Sequence, residues 1–211
     1  MGINLKKFSP SPQGSDTFRQ LVGLKPHTLV VGTVARLVSD KGLDCFLRMA
    51  ALIRNKRSDV TFLVVGDGPL RDSLEQLAGV LGIRDAVVFA GHQTDVPVVL
   101  QVMDLFVLPT RREGFGVVFA EAMAMGKATI GSQIGPVAEV VEDGVTGYLA
   151  PPDNPEAFAM HAQDLLNDER KRRAFGEAGR RRVEKLFAEE RMCETIEQHY
   201  RRLLKLKGLA A

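Results

Sequence analysis

The strongest constraint on this chain is a rhythm: short, almost uninterrupted apolar runs alternate with stretches whose apolar residues recur at helical spacing. Residues 28–34 and 60–65 are β-branched runs without polar alternation, the pattern of strands buried on both faces. Residues 86–90, 105–108, 128–131 and 147–150 are shorter runs of the same kind. Between the first two, residues 42–55 set Leu43, Phe46, Leu47, Ala50 and Ile53 on one helical face. Residues 70–81, 96–102 and 117–125 read as further helices, and 137–142 as a helical turn. Pro69 suits a first helical position, and Gly82 and Gly126 suit the position just past a helix end. Such repetition predicts an α/β fold with a parallel sheet covered on both faces. Right-handed crossovers make it a doubly wound, Rossmann-like domain. Beyond Pro155 the spacing is helical over 156–166, 169–187 and 190 to about 206, so helices close the chain. Residues 1–27, with Ser9, Pro10, Ser11 and Pro12 followed by Gly14 and Ser15, read as a linker, and the 18–24 stretch as a short helix packed on the body.

Composition narrows the function classes. Hydrophobic residues are 45% and charged residues 26%, ordinary for a chain that buries a core. No apolar run approaches the roughly 20 residues needed to span a bilayer, and the opening residues lack the apolar stretch of a signal peptide. Cys45 and Cys193 stand far apart without metal-ligand spacing. Both are expected to be reduced, packed thiols, which fits a cytoplasmic protein. The net charge of +2 hides an asymmetry: residues 168–211 carry 13 Lys/Arg against 8 Asp/Glu, and residues 1–167 carry 15 against 18. A solvated helix face is the plainer reading of the basic runs at 170–173 and 180–182. A basic face beside anionic lipid or a lipid-linked acceptor, peripheral at the inner membrane face, is the sharper one. With no Trp and two Tyr there is no stacking platform for nucleic acid.

In a doubly wound sheet, ligands bind outside the carboxyl ends of the strands, so the strand-to-helix loops are where chemistry is expected. The first, residues 35–42, carries Arg36 and Lys41 just before a helix. Free N–H groups and two cations suit a diphosphate, and two solvated surface charges are the alternative. The second, Gly66-Asp67-Gly68-Pro69, is half of a dinucleotide fingerprint, with Arg71 where more glycine would be needed; a tight turn is the better reading. The third holds His92, Gln93, Thr94 and Asp95, either of the last two able to cap the next helix. The fourth is the informative one. Gly114 and Gly116 let the backbone pass close to a ligand, and the carboxylates of Glu113 and Glu121 stand on either side of the helix start. Such a pair can accept hydrogen bonds from sugar hydroxyls. The plain alternative is a loop carboxylate and a dipole-favoured helix residue.

Residues 113–121, E-G-F-G-V-V-F-A-E, resemble the E-x-F-G-x-x-x-x-E signature of retaining GT-B glycosyltransferases, especially family 4. Other motifs follow in order. Ala35-Arg36-Leu37 with Lys41-Gly42 is similar to that family's G-R-L…K-G loop, with alanine for glycine. Residues 64–69 resemble its V-G-D-G-P turn, 121–126 its E-A-M-A-x-G helix, and 142–148 its D-G-x-T-G segment. The opening, Gly2 to Leu5 with Phe8-Ser9-Pro10, is similar to the approach to the family's C-terminal domain.

The resemblance implies one half of a GT-B fold. Residues 1–27 would be the interdomain lead-in, 28–187 the nucleotide-sugar-binding domain and 188–211 a C-terminal crossover helix. Arg36 and Lys41 would hold the donor diphosphate and stabilise the leaving nucleoside diphosphate. Glu113 would hold the donor sugar. Gly114, Phe115, Gly116 and Val117 would line it with backbone, Glu121 would bind the ribose, Gln93 would lie near the base through its backbone, and Gly68 would be a further donor-binding residue. The donor would be a UDP-, GDP- or ADP-sugar, with no cofactor and no divalent metal, since cations and helix N-termini take the metal's place. No D-x-D pair stands near these loops. Two departures stand out. Gly135-Pro136-Val137-Ala138-Glu139 replaces the family's G-G-x-P-E, and the N-terminal acceptor domain is missing. The expectation is therefore a domain that binds donor but is inactive alone. The apolar side of the last helix (Met192, Ile196, Tyr200, Leu203, Leu204) would be left partly exposed. The competing readings are a sugar-nucleotide epimerase half and a non-catalytic nucleotide-binding module.

Overall fold

The computed structural model describes residues 2–11, 14–25 and 27–206, and the backbone but not the side chain of Lys205. Pro12 of the opening turn and the last five residues of the 188–211 tail lie outside these. Six strands form one parallel sheet in the order β3-β2-β1-β4-β5-β6: β1 Leu29–Val34, β2 Val60–Val65, β3 Val87–Gly91, β4 Leu105–Leu108, β5 Ala128–Ser132 and β6 Gly147–Ala150. Helices α1 Ser15–Leu21, α2 Leu43–Arg54, α3 Arg71–Val80, α4 Val96–Gln101, α5 Val117–Ala124, α6 Gly135–Val140, α7 Pro155–Asn167, α8 Glu169–Leu186 and α9 Glu189–Leu206 connect and follow them. The predicted doubly wound α/β fold is the one observed.

Burial explains the lack of polar alternation. Every residue of β2, β4 and β5 is buried, because both sheet faces are covered. Edge-to-face ring pairs, Phe46–Phe62 at 6.3 Å and Phe106–Phe119 at 5.5 Å, tie α2 and α5 to the sheet. Each such pair adds about 0.5–1.5 kcal/mol beyond its buried area. Gly131 lets α5 and α6 come down on β5: a Cβ there would stand 2.6 Å from Val137 Cγ1 and 2.8 Å from Phe119 Cε1.

Three local expectations need correction. Pro69 is not at the first helical position. The Leu70 N–H donates to the Leu37 carbonyl (3.1 Å), so Leu70 is the cap and α3 starts at Arg71. The helical turn at 137–142 is shifted to Gly135–Val140. Pro136 fits its first turn, and Val141 turns extended before the Glu142 N–H donates to Thr146 Oγ1 (2.9 Å). Cys45 is a packed thiol, pushed up to about 12 by burial and then by the charge of Asp44. Cys193 is not packed, because α9 leaves the body and exposes it. No helix among the described residues is long and apolar enough to cross a membrane.

The ends of this body meet. The Ile3 N–H donates to the Phe187 carbonyl (2.7 Å) and the Glu189 N–H to the Ile3 carbonyl (3.0 Å), making a bridge between Ile3 and Ala188. Beyond it, α9 leaves Ile196, Tyr200, Leu203 and Leu204 of the anticipated apolar stripe exposed, with Leu206 beside them, while Met192 is half-buried.

Candidate functional site

The strand order reverses between β1 and β4, which run outward to neighbours on opposite sides. At such a switch point the two following loops splay apart and leave a crevice. The β1–α2 loop runs from Ala35 through one turn of 3-10 helix, Ser39–Lys41, to Gly42. Gly42 has φ +63°, and its Cα lies against the Pro109 carbonyl with no room for a Cβ. Only glycine meets both demands. The β4–α5 loop ends at Gly116, φ +83°, the cap of α5.

These loops touch. Lys41 Nζ lies 2.7 Å from Glu113 Oε2, in a pair that is mostly shielded from water. Glu113 Oε1 accepts the Gly114 N–H at 3.1 Å. Two adjoining hollows, about 320 and 210 Å³, share Val34, Ala35, Val117 and Val118. Arg36, His92, Gln93 and Glu121 line the first, and Lys41 and Glu113 the second. Arg36 is exposed, and its side chain has no hydrogen-bond or ion-pair partner among the described residues.

Glu121 is the one ionisable residue of α5, whose other residues are Val, Phe, Ala and Met. Burial pushes its carboxyl above the usual range, against the opposing charge of Lys7. Its side chain makes no hydrogen bond among the described residues. A half-buried carboxylate facing a cleft without a donor is an acceptor site held open, and such perturbed groups cluster at functional sites. Val117 and Val118, in the first turn of α5 where N–H groups have no partner within the helix, line both hollows.

The structure thus brings together Arg36, Lys41, Glu113, Val117, Glu121 and Gln93 around one crevice. Gln93 Nε2 donates to the Ala90 carbonyl (2.8 Å), so the side chain is occupied in holding its own loop. Four predicted residues fall outside the lining: Gly116, the buried cap of α5, and Gly68, Gly114 and Phe115. Gly68 faces inward, where a Cβ would sit 2.6 Å from the Leu37 carbonyl; its neighbours Gly66 and Asp67 line the hollow instead. The turn is a clamp: the Ala35 N–H donates to Val65 and the Leu37 N–H to Asp67, each at 3.0 Å. Gly114 is exposed beside Glu113, and Phe115 packs edge-on against Phe187 (5.7 Å). Asp95, one of the two proposed caps, accepts the Val98 N–H (3.3 Å). No three His, Cys, Asp or Glu side chains among the described residues gather as metal ligands.

Sequence reasoning missed what joins the loops. The Asp40 carbonyl accepts from the Arg111 N–H (2.7 Å), the Arg112 N–H (3.3 Å) and Thr110 Oγ1 (2.9 Å). The Arg111 guanidinium donates to the Ser39 carbonyl (2.7 Å), Asp44 Oδ2 (2.8 Å) and Asp153 Oδ1 (2.7 Å). Burial opposes ionisation of Asp44, but the hydrogen bond and charge of Arg111 outweigh it and hold the carboxyl below its ordinary value. In sequence, Arg111 was one more charge in a basic pair, and partners 42 and 67 residues away left no local signal.

The family model for group 1 glycosyl transferases matches residues 15–182. This chain belongs to that family. Among curated relatives of this glycosyl transferase, the capsular polysaccharide biosynthesis glycosyltransferase CapM of Staphylococcus aureus is 32% identical over 206 residues, 97% of this chain and 53% of that protein. The GDP-mannose-dependent alpha-(1-6)-phosphatidylinositol monomannoside mannosyltransferase of Mycolicibacterium smegmatis is 32% identical, over 85% of this chain and 49% of that one. The chain spans about half the length of the curated relatives it matches. Solved structures agree. Sucrose-phosphate synthase from Thermosynechococcus elongatus superposes with TM-score 0.85 at 30% identity, over 97% of this chain and 52% of that one. The C-terminal domain of a group 1 family protein (LpcC) from Francisella tularensis has the same fold from end to end: TM-score 0.77 at 24% identity, over 89% of this chain and 100% of that one. The glycosyl transferase chain is thus the Rossmann-like C-terminal half of a GT-B fold.

Proposed function

We propose that this chain binds a nucleoside-diphosphate sugar and forms the donor half of a retaining glycosyltransferase, the acceptor half being a second Rossmann-like domain N-terminal to it. One observation carries the reading. At the strand-order reversal, two cations from the β1–α2 loop and two carboxylates, one from the β4–α5 loop and one from α5, converge on adjoining hollows, Arg36 with Glu121 and Lys41 with Glu113. Arg36 and Lys41 hold the diphosphate and stabilise the charge that grows on it as the glycosidic bond breaks. The N–H groups at the start of α5 add to that field. Glu121 accepts hydrogen bonds from ribose hydroxyls. Glu113, which in the ligand-free chain pairs with Lys41, turns to the sugar. Arginine, lysine and helix N–H groups perform the electrostatic work a divalent metal does elsewhere.

In this reading residues 28–187 are the donor domain, 1–27 lead into it, and 188–211 cross back to the acceptor domain, which covers the apolar stripe of α9. Relatives support the donor class: one is named for GDP-mannose, and the Anabaena protein HepE, similar at TM-score 0.82 and 27% identity, was solved with UDP and glucose. Calorimetry with UDP-, GDP- and ADP-sugars is the test. Saturable binding of at least one is expected, without sugar transfer by the 211-residue chain itself. A folded chain that binds none of them sinks the reading.

A further inference from the structure

Lys41 and Glu113 lie 72 residues apart on separate loops, yet their side chains meet at 2.7 Å. A phosphate-binding lysine is useful only if its loop stands at a fixed distance from the opposite wall, because a misplacement of about 1 Å is enough to lose most of an oriented contact. Something must set that distance. The polypeptide does not do so directly, since α2, β2, α3, β3, α4 and β4 intervene.

We propose that Arg111 is a positioning residue that bolts the β1–α2 loop to the β4–α5 loop and so sets the spacing of the diphosphate site. Its guanidinium spans three segments: the Ser39 carbonyl in the turn that carries Lys41, Asp44 in the first turn of α2, and Asp153 in the β6–α7 loop. Its own N–H donates to the Asp40 carbonyl, the residue before Lys41. Glu113 follows Arg111 by two positions, so the bolt and the paired carboxylate share one short stretch of chain. The planar fork of arginine delivers donors in several fixed directions at once; the single ammonium of lysine does not. Asp153 adds a second sign of a built arrangement. It is one of two non-glycine residues in the left-handed region among the described residues, at φ +57°, a conformation that costs free energy and persists where contacts hold it. Its carboxylate is held by Arg111. Arg111 contacts neither hollow, so it acts through Lys41 and Glu113 rather than on a ligand.

The nucleotide readout of this proposal rests on the donor-site reading above, while a second readout does not. In Arg111→Met, calorimetry with UDP, GDP and ADP, each against its monophosphate, should show the diphosphate advantage falling roughly tenfold or more. That is the loss expected when one charge-assisted contact is misplaced. Monophosphate affinity should change little, because Gly66, Asp67, His92 and Gln93 are not bolted by Arg111. Arg111→Lys should not restore the advantage; full restoration would overturn the fork argument. In the ligand-free chain, hydrogen exchange at the Gly42, Arg111 and Arg112 amides should speed up together, roughly tenfold, while α8 stays unchanged. Unchanged exchange in both loops overturns the proposal whatever the nucleotides do. A wild-type chain that binds no nucleotide defeats the donor reading, and exchange still decides the bolt. Should Arg111→Met fail to fold, Asp153→Gly keeps the left-handed backbone and removes one carboxylate, with the same changes expected at smaller size.

Discussion

Helices α5 and α8 pack against each other, with Gly179 set 3.1 Å (as a Cβ) from Met123 and Arg180 donating to the Ala124 carbonyl at 2.6 Å. They are opposites in charge. α8 carries most of the basic excess of the chain, and most of it is spoken for. Lys171 pairs with Asp164, Arg173 with Glu169, Arg180 with Glu184, and Arg182 with Glu142, all within 2.9 Å. Arg172 donates to the Leu165 carbonyl and Arg182 to the carbonyls of Glu139 and Val140. The basic runs that suggested a lipid-facing surface largely staple α8 to the body. α5 has one charge, Glu121, and that charge has no hydrogen-bond partner among the described residues. Chemistry is better sought where a charge stands without a partner in apolar surroundings than where charges are many.

The contrast can be broken most forcefully at the cations facing Glu121 and Glu113. Lys41→Ala should weaken diphosphate-sugar binding by about 2–3 kcal/mol, roughly 30- to 150-fold, since it also leaves Glu113 unpaired beside the phosphate. Arg36→Ala should cost nearly as much. Calorimetry reads both, and unchanged affinity in the two variants rejects the phosphate role. Glu121→Gln should lower affinity by about tenfold, the worth of a charged hydrogen bond, and yet raise Tm. The carboxyl is raised by burial, so the folded state disfavours its charge, and a neutral amide removes that conflict. A Tm that falls, with affinity intact, would make Glu121 merely structural.

pH sharpens the same point. The ionised form of Glu121 is the better acceptor, and burial raises its titration above that of an ordinary glutamate. Affinity for a nucleotide sugar should therefore decline on acidification from a pH above that of an ordinary glutamate, and Glu121→Gln should abolish this limb. Asp44 behaves in the opposite sense. Its carboxyl is depressed by Arg111, so its contribution to stability is complete above the ordinary aspartate value and is lost as pH falls through the lower folded one. Denaturant midpoints between pH 5 and about 3 check this, with Asp44→Asn as the flat reference. The smallest effect belongs to α8. Arg181, 3.9 Å from Glu177 and exposed, should cost under about 0.5 kcal/mol as alanine, read by the same midpoints.

How far the sequence reached depends on the range of each interaction. Strands and helices are written in local patterns, so β2 and β4 appear with the bounds expected. Arg36, Lys41 and Glu113 lie in loops at the carboxyl ends of parallel strands and Glu121 in the helix that follows, where such a fold takes ligands, but it is the resemblance to the glycosyltransferase signature that gives them roles. Gly68 carried two readings, a tight turn from its residues and a donor contact from the resemblance, because a glycine required for close backbone packing is spelled the same way as one required by a ligand. The Arg111 contacts were illegible for another reason: three of its partners come from other segments, brought near only when the sheet closes. Cys193 was assigned to a core because helical spacing does not say whether a partner surface is present.

The bridge between Ile3 and Ala188 has a mechanical side. It makes the chain's way into this body and its way out neighbours, so the whole sheet hangs from a neck two strands of backbone wide. Phe187, whose carbonyl accepts from Ile3 at that neck, also packs its ring edge-on against Phe115, in the loop that carries Glu113. One ring contact therefore separates the neck from the wall of the crevice.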